Sequence, residues 1–173
     1  MEIISEIEVS KDQHQAITAL RNSAFPDHQV ERSYYKQLPH MRALQHREGR
    51  LVGYLGLDYR MVSVGDSAYK VLGVIDFCVA ENVRGQGVGK SMLSELDGYA
   101  KNRDVDFIIL ISDLHDFYSS QGYVQITSTN SWLRLHEHLS YGVAVEEIDD
   151  LYVKPLNGKQ WPLGDIDWLG YMY

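Results

Sequence analysis

A chain of 173 residues, 45% of them hydrophobic, has material for one core and too little length for two independent ones. Its formal charge of −8, with only 16 Lys and Arg, excludes a general nucleic-acid binder, which needs clustered cations against phosphates, and suits a cationic partner. The lone cysteine, Cys78, excludes an internal disulfide and points to a reducing, cytoplasmic setting, and no apolar run nears the roughly 18 residues of a membrane span. No basic segment followed by an apolar run marks a secretory signal at the start. The expectation is a single domain over 1–173 that ends in an acidic and aromatic tail, 155–173.

Ile3, Ile7 and Val9 open the chain as a strand, and Ser10 followed by Gln13 has the capping-box spacing that starts a helix. Ile17, Leu20 and Ala24 continue at helical spacing until Pro26 limits the run. A short second helix is predicted through Tyr34, Tyr35 and Leu38. From Met41 to Val79 the pattern becomes that of strands, broken by turn residues at Glu48-Gly49-Arg50 and Gly65-Asp66-Ser67, which predicts a three-stranded antiparallel meander. Val88, Met92, Leu93, Leu96, Tyr99 and Ala100 trace one helical face. Phe107-Ile108-Ile109-Leu110-Ile111 lacks polar alternation, as a strand buried on both faces does. A short helix through Leu114 and Tyr118 ends near Gly122, and strands follow over Tyr123–Leu135 and Ala144–Val153. This order predicts a mixed α/β (α+β) fold with helices on both faces of the sheet.

Between the strand ending at Val79 and the helix starting near Val88 lie Gly85, Gly87 and Gly89. Glycines there let backbone N–H groups converge on an anion, and the helix N-terminus adds free donors and partial positive charge. A phosphate or pyrophosphate is the natural guest, with Arg84 and Lys90 as added charge. A nucleotide P-loop ends as Gly89-Lys90-Ser91 does, but its opening glycine would fall at Arg84. The dinucleotide fingerprint fails because its third glycine would fall at Lys90. The pattern R/Q-x-x-G-x-G/A is met by Arg84, Gly87 and Gly89.

On that motif, on the whole segment Ile75–Gly89 and on Phe117-Tyr118-Ser119-Ser120-Gln121-Gly122-Tyr123, the chain resembles the GNAT family of N-acetyltransferases, over roughly Met41 to Ile126. The resemblance implies the family's acyl-CoA N-acyltransferase fold, a mostly antiparallel mixed sheet splayed between its fourth and fifth strands, and acetyl-CoA as co-substrate, without a metal. It implies that Arg84, Gly85, Gln86, Gly87, Val88, Gly89 and Lys90 grip the pyrophosphate while the backbone of Phe77, Cys78 and Val79 pairs with the pantetheine arm. Tyr118 matches the tyrosine that protonates the departing thiolate; a phenol, with its ordinary pKa near 10, can donate at neutral pH. Where relatives often place a cofactor-contacting asparagine, this chain has Ile111-Ser112-Asp113, leaving Ser112 as the candidate. Asp76 matches an acidic position and is a candidate base for the incoming ammonium, a solvent-facing strand residue, or an attractor of a cationic substrate. Direct attack of the amine on the thioester is expected; Cys78, alone in an apolar strand, reads as a packed side chain and not as an acyl carrier.

His136 and His138 would share a strand face but lack the companions of a metal site. Asp149, Asp150, Asp165 and Asp167 interleave with Trp161, Trp168, Tyr171 and Tyr173, either as a surface for an amino sugar or polyamine or as aromatics closing the core beside solvated aspartates. Asp150–Pro155 with Asp167-Trp168 faintly resembles the tail of aminoglycoside 2′-N-acetyltransferases. The reading is therefore an N-acetyltransferase acting on a small-molecule amine, without nucleic-acid or membrane partners and compatible with a homodimer. The alternatives are a non-catalytic CoA-binding sensor, a protein N-terminal or lysine acetyltransferase, and a nucleotide binder using the near-P-loop.

Overall fold

The structure, a computed structural model, describes residues 1–173. The chain divides into two compact units, Met1–Asp58 with Val74–Asp97, and Tyr59–Gly73 with Gly98–Tyr173. No helix in either is long and apolar enough to cross a membrane.

In the first unit, β1 (Glu2–Ser5) pairs antiparallel with β2 (Met41–Arg47), which pairs antiparallel with β3 (Arg50–Val64). A 3-10 turn, Glu6–Glu8, replaces the predicted continuation of the first strand through Ile7 and Val9. Helix α1 (Lys11–Ala24) starts at the expected cap: Gln13 N–H donates to Ser10 Oγ at 3.2 Å, and Ser10 N–H donates to Gln13 Oε1 at 2.8 Å. Its Ile17 and Leu20 pack with Leu44, Tyr54 and Cys78. β4 (Ser67–Val79) completes the meander, and its second half, Val74–Val79, belongs to this unit. Helix α2 (Val88–Lys101) buries Val88, Met92, Leu93, Leu96 and Ala100, as its periodicity predicts. Met92 fills the space above Gly53 so closely that a Cβ on that glycine would lie 2.4 Å from Met92 Sδ.

The predicted helix through Tyr34, Tyr35 and Leu38 does not form; the chain there is irregular. Side chains from elsewhere hold its backbone. Asn22 Nδ2 donates to Val30 O at 2.8 Å, Arg21 Nη1 to His28 O at 2.7 Å, and Arg42 Nη1 to Ser33 O at 2.6 Å. Arg42 is fully buried and also donates to Glu6 and to the Tyr54 phenol. A buried guanidinium tolerates desolvation only when its N–H groups are met in this way.

In the second unit, β4 pairs in parallel with β5 (Phe107–Ile111) through Val71–Gly73 against Phe107–Ile109. β5 then pairs antiparallel with β7 (Leu139–Pro155), and β7 with β6 (Val124–His136). The last strand, β8 (Ile166–Tyr171), lies parallel to β6 and antiparallel to β3 at Ser63–Val64. Since β3 is also the neighbour of β4, these ladders return on themselves and the sheet of this unit closes. Val62, Val71, Phe107, Ile109, Leu151, Val153, Ile166 and Trp168 fill the interior.

Within the acidic and aromatic tail, β8 is an addition to the predicted elements. Trp168 is fully buried and its Nε1 donates to Asn130 Oδ1 at 2.8 Å. Trp161 packs edge-on against Phe107 with centroids 4.9 Å apart. Of the two tail readings, core closure describes Trp168; Trp161 packs on the core but stays partly exposed. His136 ends β6 and His138 lies in the turn before β7, with φ +61°, so they do not share a strand face.

Candidate active site

The first unit holds the predicted Phe77–Val79 and Arg84–Lys90 segments together with Asp76. From Val79 the chain passes through a 3-10 turn, Glu81–Val83, and a tight turn over 84–87 into α2. Gly85 and Gly87 have φ of +73° and +78°, the left-handed region that costs side-chain-bearing residues about 1–2 kcal/mol. A Cβ at either would meet no atom of this protein within 4 Å. The open space above both glycines is therefore available to a ligand, and the conformation, not packing, demands glycine.

The first bond of α2 runs from Ser91 N–H to Gly87 O at 2.9 Å. The N–H groups of Val88, Gly89 and Lys90 precede that ladder and are the free donors of the helix end. Arg84 and Lys90 are exposed, and the Arg84 Nε bond to Val79 O, 3.0 Å, ties the turn to the end of β4. Gln86 is fixed by accepting from Arg47 Nη1 at 2.8 Å and donating to Asn82 O at 3.2 Å. No acidic residue occupies the first turn of α2. The arrangement is a cup of amides, glycine surfaces and two cations, suited to a diphosphate.

Asp76 interrupts β4 with φ +51°, an unusual state for a non-glycine strand residue. Its Oδ2 accepts from Arg21 Nε at 2.8 Å, and the Arg21 side chain is almost wholly buried. To accept a proton from an amine at Oδ2, Asp76 would have to give up that bond. Arg21 was missed by the sequence analysis, although it stands among Ile17, Leu20 and Ala24 on the apolar face of α1, where an arginine needs a buried partner. Cys78 is buried, and burial, reinforced by the Asp76 carboxylate, pushes its thiol up to about 12. It stays a thiol throughout the physiological range and is a poor nucleophile.

The second unit holds Ser112 and Tyr118. Helix α3 (His115–Ser120) carries Tyr118 inward against Phe117, Tyr123 and Tyr152, with ring centroids 5.0, 5.6 and 5.5 Å away. The Tyr118 phenol shares a hydrogen bond with the Ser112 hydroxyl, and burial pushes it up to about 12, a shift that the Ser112 bond opposes. Ser112 Oγ also accepts from Leu114 N–H at 3.1 Å, which leaves its own proton to donate to Tyr118. Ser112, considered from the sequence as a cofactor contact, has Tyr118 as a partner that the sequence did not reveal. A cavity of about 430 Å³ lies beside Val124, Ile126, Val153 and Trp161, also in this unit; it includes none of the predicted catalytic or cofactor-binding residues, and of the tail residues considered for a ligand surface only Trp161.

Residues 7–126 match the Acetyltransferase (GNAT) domain family. The chain belongs to the GNAT family of acetyltransferases. Solved GNAT-like structures share its fold at low identity. Escherichia coli ElaA has 18% identity and a TM-score of 0.62, over 88% of this chain and 97% of that one. A GNAT family acetyltransferase from Brucella melitensis, crystallised with acetyl-CoA, has 15% identity and a TM-score of 0.61, over 95% and 93%. Eis1 from Mycobacterium abscessus has 16% identity and a TM-score of 0.61; the match covers 75% of this chain but only 32% of that longer protein. No curated protein matches. The mixed α+β GNAT fold expected from the sequence is the fold observed, dominated by its sheet with a few helices. The tail similarity to aminoglycoside 2′-N-acetyltransferases finds no counterpart among these matches.

Proposed function

We propose that this GNAT protein is an acetyl-CoA-dependent N-acetyltransferase that transfers the acetyl group to a primary amine by direct attack. The observation carrying the reading is the turn at Gly85–Gly87, whose two left-handed glycines leave open space beside the free N–H groups of Val88, Gly89 and Lys90. That combination fits the pyrophosphate of coenzyme A, with Arg84 and Lys90 supplying counter-charge. The backbone of Phe77, Cys78 and Val79 would pair with the pantetheine arm as an added strand does. Acetyl-CoA bound to a Brucella melitensis relative of the same fold supports the choice of cofactor.

In this reading Tyr118 is the general acid for the departing thiolate. Ser112, by donating to the phenol oxygen, leaves the phenol O–H to point at its acceptor. The unreactive Cys78 thiol favours one-step transfer over an acyl-enzyme. Asp76 keeps the proposed role of base or of cation attractor, in balance with its Arg21 bond.

The acceptor is proposed to be a small cationic amine, an amino sugar or a polyamine. Asp113, Asp116, Asp149 and Asp150 all lie within electrostatic reach of Tyr152, one of the rings packed on Tyr118. Burial and the neighbouring Asp149 and Asp113 charges raise the Asp150 carboxyl, a crowding that a cation relieves. A panel of amino sugars, polyamines, amino acids and peptide N-termini incubated with acetyl-CoA, followed by free thiol release, tests the proposal. Turnover of cationic small amines ahead of peptides supports it. Tight acetyl-CoA binding without thiol release on any amine would turn the reading to a CoA sensor.

A further inference from the structure

The hairpin between β2 and β3 turns on Glu48 and Gly49, whose φ of +49° and +76° lie in the left-handed region that tight hairpin turns require. Such a turn sets the residues on either side of it directly opposite each other, and here those are Arg47 and Arg50. Cross-strand neighbours point to the same face of a sheet, so two exposed guanidinium groups stand side by side. Like charges in that position destabilise a hairpin.

No acid answers either arginine. The protein has 24 Asp and Glu, and elsewhere its cations meet them: Arg21 pairs with Asp76, Arg42 with Glu6, Lys70 with Asp104 and Arg134 with Glu146. Arg47 instead has one bond, from Nη1 to the side-chain oxygen of Gln86 at 2.8 Å. Arg50 has no hydrogen bond, ion pair or ring contact, and Glu48, the acid between the two, pairs with neither. The Gln86 bond gives the arginines their place. Gln86 lies between Gly85 and Gly87 and is itself anchored by donating to Asn82 O at 3.2 Å. Arg47 is thereby held at the rim of the amide cup, with its other N–H groups unused.

On the proposal that coenzyme A is the cofactor, the geometry points to Arg47 and Arg50 as a second anion subsite beside the cup, for the 3′-phosphomonoester of that cofactor. Of the cofactor's phosphates the monoester carries the most charge, about −1.5 to −2 at neutral pH. The diphosphate is already met by the free amides of α2 with Arg84 and Lys90. A ribose separates the monoester from the diphosphate, so its site must lie beside the cup and not within it, as this hairpin does. A dianion between the two guanidinium groups removes their repulsion and accepts charge-assisted hydrogen bonds from both.

Isothermal titration calorimetry of the full chain with acetyl-CoA and with acetyl-3′-dephospho-CoA tests this. The parent should bind acetyl-CoA about tenfold or more tighter than the dephospho compound. Arg47→Gln combined with Arg50→Gln should weaken acetyl-CoA by that factor and leave the dephospho compound unchanged, so that the preference disappears. Because the arginines repel each other, the ligand-free double variant should melt no lower than the parent, which separates a lost subsite from a damaged fold. Should the double variant not fold, Arg50→Gln alone serves, at a side chain with no contact to lose; it should narrow the preference without changing dephospho binding. Equal binding of the two compounds by the parent, or an equal loss of both in the variants, overturns the subsite and leaves coenzyme A as the cofactor. No binding of either compound by the parent overturns the cofactor assignment itself, and the subsite with it.

Discussion

Arg21 Nε donates to Asp76 Oδ2 at 2.8 Å, joining a buried guanidinium on α1 to a strand residue held at φ +51°. The pair fixes the point at which β4 departs from regular geometry, two residues before Cys78. Removing Arg21 leaves the mostly buried Asp76 carboxylate without its cation, a change that costs about 3–5 kcal/mol for a buried pair. Arg21→Ala should therefore lower the melting temperature markedly in a thermal scan. Asp76→Asn should cost less, because asparagine tolerates positive φ and its Oδ1 can still accept from Arg21. If Asp76 is the base, Asp76→Asn also lowers kcat with acetyl-CoA affinity unchanged; an unchanged kcat removes it from the chemistry.

The buried Tyr118 phenol, pushed up to about 12, keeps its proton well beyond neutrality. Because the folded value lies above the ordinary 10, the associated stability is complete below about pH 10 and is lost as pH rises through the folded value. In kinetics the same shift means that Tyr118 produces no descending limb in the pH–rate profile below about pH 10. Tyr118→Phe should reduce kcat by about 100-fold, by a similar factor from pH 7 to 9, while calorimetric acetyl-CoA affinity stays near the parent value. Loss of cofactor affinity in place of kcat would make Tyr118 a packing residue.

The glycine turn, the amphipathic α2, the meander and the inward tyrosine of α3 were legible because each rests on local chemistry: a spacing, a period or a cap. Ser10 and Gln13 form both bonds that their spacing promises. What escaped was decided at long range. Tyr34 to Leu38 looks helical locally, yet Asn22, Arg21 and Arg42 take up backbone groups of the preceding residues, and no window around residue 34 contains those partners. Ile166 and Trp168 do alternate with Asp167 and Leu169 as a half-buried strand should. In the sequence the aspartates and rings were weighed for what they could bind or bury, without this period being assigned to a strand.

The Gly85–Gly87 turn separates a binding role from a structural one. A side chain there meets no protein atom, so its cost to folding is limited to the left-handed backbone, about 1–2 kcal/mol. It would instead occupy the space proposed for the pyrophosphate. Gly87→Val should weaken acetyl-CoA binding by at least about tenfold with only a modest loss of thermal stability. Equal affinity in the variant would empty the proposed cup of its function.

The thiol of Cys78, pushed up to about 12 by burial and the Asp76 charge, should resist alkylation in the native state. Iodoacetamide labelling followed by intact mass is expected to be slow at pH 8 and rapid only after denaturation. Cys78→Ala should retain kcat within about threefold, since direct transfer does not use the sulfur. An acetylated protein trapped with acetyl-CoA in the parent but absent in Cys78→Ala would instead establish a two-step route.

Gly73 and the C-terminal Tyr173 make a separate test of how the closed sheet of the second unit is held. A Cβ on Gly73 would lie 1.8 Å from the Tyr173 phenol oxygen and 2.0 Å from its ring carbon, so the two cannot coexist. Tyr173 in turn packs edge-on to Trp168 at 5.1 Å and lies 4.7 Å from the Arg60 guanidinium. Gly73→Ala should expel the terminal ring from this cluster and destabilise by about 1–3 kcal/mol, the usual range for overpacking. Tyr173→Ala alone loses the ring contacts but opens room at Gly73. The double variant should then be no less stable than Tyr173→Ala, because the clash has lost its second partner; denaturant melts of the four proteins form the cycle that measures this coupling. Additive losses would mean that Gly73 is required for the strand itself and not for the ring above it.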